Sequence, residues 1–146
     1  MITECAIDID APAGLVWSVF SDVQRWPEWT ASVTRLRGLD GPELLVGRRF
    51  AIKQPRMPEL VWTVTEVSPG TSWTWEQRSP GGLTVARHDV TATGEHTTRV
   101  SQRLDQRGPV GALFGMLTRG MTRRYLDMEA TGLKMRSEQL QHGPTA

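Results

Sequence analysis

The sequence predicts an α+β domain in which a run of antiparallel strands is followed by one long helix. Apolar and polar residues alternate at period two across much of 3–105. Glycine–proline turns (Asp40-Gly41-Pro42, Ser68-Pro69-Gly70, Ser79-Pro80-Gly81-Gly82) punctuate that stretch. From Pro109 to about Gln141 the apolar spacing changes to that of a helix. Strands grouped together, with helices segregated from them, define the α+β class, here with about seven strands.

Thr3 to Asp10 puts Cys5, Ile7 and Ile9 on one side and Glu4, Asp8 and Asp10 on the other, as in a half-buried strand. Asp10-Ala11-Pro12 ends it and opens a helix, since proline is tolerated in a first turn whose N–H groups lack partners. Leu15, Val16, Val19 and Phe20 form that helix's packing face. Asp22 starts a second short helix or turn through Trp26-Pro27-Glu28-Trp29, where Pro27 prevents one regular helix from carrying both tryptophans. Strands follow at 32–39, 47–54, 60–67 and around Trp73 and Trp75, and then 83–92 pairs with 97–105 through Gly94-Glu95. Pro55-Arg56-Met57-Pro58 is a loop. Gly108-Pro109 begins the last helix, whose residues Val110, Leu113, Phe114, Leu117, Met121, Tyr125, Met128 and Met135 fall on one apolar stripe. Gly111, Gly115 and Gly120 each cost that helix about 1 kcal/mol relative to alanine, so either its backbone packs closely there or that end moves.

With 146 residues the chain is expected to be one domain over residues 1–141, with 142–146 as a flexible tail. A formal charge of +1 gives no electrostatic case for nucleic acid or an anionic membrane. The single cysteine, Cys5, excludes an internal disulfide and suits a reducing compartment. The N-terminus lacks signal-peptide character, and the apolar run Val110 to Leu117 is too short for membrane insertion, so a cytoplasmic protein is expected. Histidines at 88, 96 and 142 offer no metal spacing, and no phosphate-cradling loop or nucleophile elbow is present; no metal or cofactor is expected. Monomer and homodimer both stay open.

Six tryptophans stand against three phenylalanines and one tyrosine. If the apolar parity of each strand faces inward, Phe50, Trp62, Trp73, Trp75 and Ala86 share that side, and the last helix faces them with Phe114, Leu117 and Met121. These residues either fill a core or line a concave apolar ligand site. The same parity turns Gln54, Thr84, His88 and Gln102 inward, each able to orient a ligand. Imidazole titrates near neutrality, so His88 is a candidate to move a proton to or from an enolisable ketone, or else a core histidine. Tyr125 is a candidate donor to a ligand carbonyl. Trp26 reads as a staple of the fold and Trp29 as a pocket residue.

The order of these motifs resembles the START/SRPBCC superfamily, in its polyketide cyclase/dehydrase branch. The resemblance rests on Ala11-Pro12 with Val16-Trp17, Asp22-Val23 with Trp26-Pro27-Glu28-Trp29, Gly47, and Gln54-Pro55-Arg56. It continues through Trp62-Thr63-Val64-Thr65-Glu66-Val67, Trp73-Thr74-Trp75, Ala86-Arg87-His88 and Arg124-Tyr125-Leu126, then Glu129 and Gly132-Leu133-Lys134. It implies a helix-grip fold, a curved sheet wrapped around the C-terminal helix with a deep apolar cavity between. It also implies that the 55–58 loop lies near the glycine-rich end of that helix, where the two form a gate. Two functions follow from it. One is a polyketide cyclase/dehydratase (aromatase-like) enzyme, with His88 as acid–base group and Tyr125 and Gln102 polarising carbonyls. The other is a non-catalytic binder or carrier of a lipid or secondary metabolite. No inward arginine is evident, so no catalytic set of the family transfers residue by residue. A hydrophobic small molecule is the partner in both readings.

Overall fold

The computed structural model describes residues 1–143. Strand β1 (Ile2–Ile9) is followed by helix α1 (Ala13–Ser21) and a 3₁₀ turn (Val23–Glu28). Six strands come next: β2 (Arg35–Gly38), β3 (Arg49–Lys53), β4 (Leu60–Ser68), β5 (Ser72–Ser79), β6 (Gly82–Ala92) and β7 (Thr98–Arg107). Helices α2 (Gly108–Leu117) and α3 (Arg119–His142) close the chain. The strands form one antiparallel sheet in the order β1-β7-β6-β5-β4-β3-β2. This is the α+β architecture expected, with strand bounds shifted by a residue or two and β2 shorter than its alternating pattern.

The register aligns inward residues in rows across the sheet. Trp73, His88 and Gln102 stand opposite one another on β5, β6 and β7. Two residues along, Trp75, Ala86 and Leu104 form the next row, and Gln77, Thr84 and Gln106 the one after. Because side chains alternate, all three rows look to the same face. One end of that face is packed solid: Val16 and Phe20 of α1, with Ile9, Trp73, Val90 and Val100, are buried together. Over the rows of Trp75 and Gln77 a cavity separates the sheet from α3, and α2 closes its far end against β6 and β7.

The expected single long helix is two. Thr118 leaves helical geometry at φ −108° and ψ 14°, and its Oγ1 donates back to the Phe114 carbonyl at 2.8 Å. A threonine hydroxyl that takes the i−4 carbonyl competes with the helix ladder and bends it. The expected apolar stripe also turns inward only in part, at Met121, Tyr125 and Met128. Val110, Leu113, Phe114, Leu117 and Met135 are exposed, while the buried positions are Gly111 and Gly115 on α2 and Leu126, Glu129, Ala130, Leu133 and Ser137 on α3. A Cβ on Gly111 would lie 3.5 Å from Gly82 Cα, and one on Gly115 would fall 2.6 Å from Gln106 Oε1. Helix α2 thus lies on β6 and β7 by its bare backbone, which accounts for two of the three costly glycines; Gly120 meets nothing. Of the tail expected over 142–146, His142 is the last residue of α3, and 144–146 lie outside the described residues.

Candidate functional site

Between the open end of the sheet and helices α2 and α3 lies a cavity of about 330 Å³. Strands β5 to β7 supply its floor through Trp75, Ala86 and Leu104, flanked by Gln77, Thr84, His88, Gln102 and Gln106. Ile52, Gln54 and Trp62 close one side, and Met57 and Pro58 of the loop after β3 close the rim. Phe114, Met121, Tyr125 and Glu129 face the floor from the helices.

Most residues singled out in the sequence meet on this cavity: Gln54, Trp62, Trp75, Ala86, His88, Gln102, Phe114, Met121 and Tyr125. Four do not. Phe50 and Trp73 are wholly buried in the packed core, Trp73 against Trp17 and Phe20 of α1 and Phe50 against Trp75. Leu117 is 76% exposed, on the side of α2 that turns away once the glycines take the sheet. Trp29 opens on a separate shallow depression with Arg123, Arg124 and Gly132. The two tryptophans of the 3₁₀ region exchange their expected places. Trp26 stacks on Phe20 at 5.5 Å, donates its Nε1–H to the Phe20 carbonyl at 2.8 Å and borders the cavity.

His88 is held on both sides. Its ring stacks on Trp73 at 4.1 Å and 11°, and Nδ1 lies 3.4 Å from the Trp73 carbonyl oxygen. Nδ1 as donor to that carbonyl leaves Nε2 as acceptor. Burial pushes its pKa down to about 3, so it is a neutral imidazole at neutral pH. The Tyr125 hydroxyl donates to the Pro55 carbonyl, which ties the 55–58 loop to α3. Lys53 Nζ donates to the Gln54 carbonyl at 2.8 Å and to that of Met57, holding the same loop from its other end.

Glu129, part of the family resemblance but not among the expected site residues, is also here. It sits three positions after Leu126 and four before Leu133, on the buried face of α3, and opens on the cavity. Ser32 Oγ donates to its Oε2 at 3.1 Å, and Ser32 in turn shares a 2.9 Å hydrogen bond with Thr30 Oγ1. Desolvation pushes the carboxyl pKa up to about 7, with the Ser32 bond pulling weakly the other way. Its helical spacing from Leu126 and Leu133 was the available signal. Two amides complete the polar lining: Gln102 Nε2 and Gln106 Oε1 are buried with no partner among the described residues.

A family of polyketide cyclases, dehydrases and lipid-transport proteins matches residues 3–138. The chain belongs to that family. Its helix-grip fold recurs in a START superfamily protein from Mycobacterium smegmatis, at 17% identity and TM-score 0.74, covering 95% of this chain and 98% of the other. The Zhui aromatase/cyclase from Streptomyces sp. R1128 shares the fold at 14% identity and TM-score 0.73, covering 95% and 94%. Norcoclaurine synthase from Thalictrum flavum does so at 13% identity and TM-score 0.74, covering 99% and 89%. At these identities the likeness is one of fold. No curated protein matches the sequence. Within the family description, cyclisation, dehydration and lipid transport stand side by side, so the choice among them rests on this chain's own residues.

Proposed function

We propose that residues 1–141 act as a single unit that takes an apolar, carbonyl-bearing small molecule into the cavity and performs acid–base chemistry on it, as polyketide cyclase/dehydrases do. The observation that carries the proposal is Glu129, a carboxyl opening on an apolar chamber with a single hydroxyl donor, Ser32. With a pKa raised to about 7 it is poised to give or take a proton at neutral pH. In this reading Glu129 removes a proton from carbon beside a ligand carbonyl, and the Gln102 amide N–H donates to the enolate oxygen that forms. The neutral His88 accepts a hydrogen bond from a ligand hydroxyl instead of shuttling a proton. Trp26, Trp62 and Trp75 exclude water, which strengthens each of these contacts. The structural bond of Tyr125 to Pro55 favours one further reading, carriage without turnover, because it engages a second expected catalytic group.

A methyl naphthyl ketone separates the readings. Its binding is followed by quenching of the cavity tryptophans, and proton abstraction by exchange of its acetyl hydrogens for deuterium. Quenching with exchange that Glu129→Gln abolishes is the expected result. Quenching without exchange leaves carriage, and no quenching contradicts the ligand site itself.

A further inference from the structure

Helix α2 is turned inside out. Five of its ten residues, Val110, Leu113, Phe114, Met116 and Leu117, are large apolar side chains 44–76% exposed. Val110, Leu113, Phe114 and Leu117 follow one another at three- and four-residue steps, so they form one outward face. Exposed contiguous apolar faces mark interaction sites. Around it the charge is mainly positive, with Asp105 and Asp127 at its two borders. No acidic residue occurs between Gln106 and Leu126, whereas that stretch holds Arg107, Arg119, Arg123 and Arg124. Asp105 takes Arg107 at 2.7 Å, but Arg119, Arg123 and Arg124 have no ion-pair partner among the described residues, and neither has Arg56 on the loop that Tyr125 holds. The whole-chain charge of +1 conceals this local excess.

We propose that α2 docks in the surface of an anionic lipid bilayer, with the arginines at the start of α3 on the headgroups, and so sets the cavity mouth against the membrane. A short helix with an apolar face and basic flanks lies in the plane of such a surface. Spanning is excluded by length, since no helix among the described residues is long and apolar enough to cross. A second copy of this chain fits poorly: a two-fold interface sets the same patch against itself, and three unpaired arginines would face three more. An acidic protein shares the charge logic, and preferring a bilayer over it rests on the ligand reading above. Val110 and Phe114 belong both to the exposed face and to the cavity lining, so an apolar ligand passes from lipid to chamber without crossing water.

Flotation with vesicles tests the docking, using phosphatidylcholine alone and an equal mixture of phosphatidylcholine and phosphatidylglycerol. The protein is expected to bind the mixed vesicles on the order of a hundredfold more tightly, from three arginines near the surface. High salt should erase that preference. Leu113→Gln with Leu117→Gln, and separately Arg119→Gln with Arg123→Gln, should each weaken flotation roughly tenfold or more while leaving circular dichroism and ketone quenching unchanged. No flotation, equal flotation with both vesicles, or a wild-type dimer that the leucine variant splits would each overturn the docking; a monomer that ignores vesicles leaves the acidic protein as occupant. Flotation without ketone quenching contradicts the ligand site alone, and quenching without flotation contradicts the docking alone.

Discussion

Glu129 and His88 oppose each other in how stability follows pH. The Glu129 pKa stands at about 7 in the fold against an ordinary 4.5, so over that interval the folded protein holds a proton the unfolded chain has released. Stability therefore falls as pH rises through that window, by about 3 kcal/mol in full. His88 stands at about 3 against 6.5, so here the unfolded chain holds the extra proton, and stability is lost as pH falls toward 3. Between about 4.5 and 6.5 the two slopes cancel. Urea unfolding across that range should show a flat wild type and a Glu129→Gln variant whose stability climbs with pH. A variant as flat as the wild type would contradict the shifts of both groups. The carboxyl was visible as a family residue but not as a site residue, because Asp127 and Lys134 near it are charged and suggest a solvated surface. Only the Leu126–Leu133 spacing, eclipsed by the methionine stripe, marked its face as buried. His88 was legible, since Arg87 and Asp89 beside it fixed its parity.

Strands and helices differed in what their residues disclosed. Alternation at period two leaves only two faces, and the tryptophans, His88 and Gln102 chose between them, so the inner side was readable except on β4, where a bulge between Val64 and Glu66 turns Val67 to the core. A helix offers a continuum of faces, and the largest apolar side chains are a poor guide where glycines provide the contact. That is why Leu113 and Leu117 of α2 were assigned to the wrong face. Which tryptophan of the 3₁₀ turn meets the cavity was not readable either, because Pro27 breaks the periodicity and only contact with Phe20 decides it. Glycine again sets the approach of α3 to this turn. A Cβ on Gly132 would fall 2.0 Å from the Trp29 carbonyl oxygen, a backbone atom that cannot swing aside. Overpacking there costs about 3 kcal/mol and outweighs the roughly 1 kcal/mol that alanine adds to a helix. Gly132→Ala should therefore destabilise by about 2 kcal/mol, whereas Gly120→Ala, which meets nothing, should stabilise by up to about 1 kcal/mol. Thermal unfolding of the two variants checks the contrast; equal effects would mean that α3 and the turn are not in contact.

At the scale of the whole molecule, the same inner face is solid at one end and hollow at the other. Helix α1 fills the end at Trp73 and Val100, whereas over Trp75, Ala86 and Thr84 the C-terminal helices stand off and leave the cavity, which α2 seals by its glycines against Gly82 and Gln106. Two of the buried side chains with unmet hydrogen-bonding capacity among the described residues, Gln102 and Gln106, line the cavity, as does the protonatable Glu129. A chamber with those few polar groups in an apolar wall orients a ligand as well as holding it. The most direct test is a carbon-13 titration of the glutamate side-chain carboxyls, with Glu129 assigned by its absence in Glu129→Gln, run with and without the methyl naphthyl ketone. The account predicts a Glu129 midpoint near 7 that moves when the ketone is added. A midpoint near 4.5, unmoved by ketone that quenches the tryptophans, would contradict it.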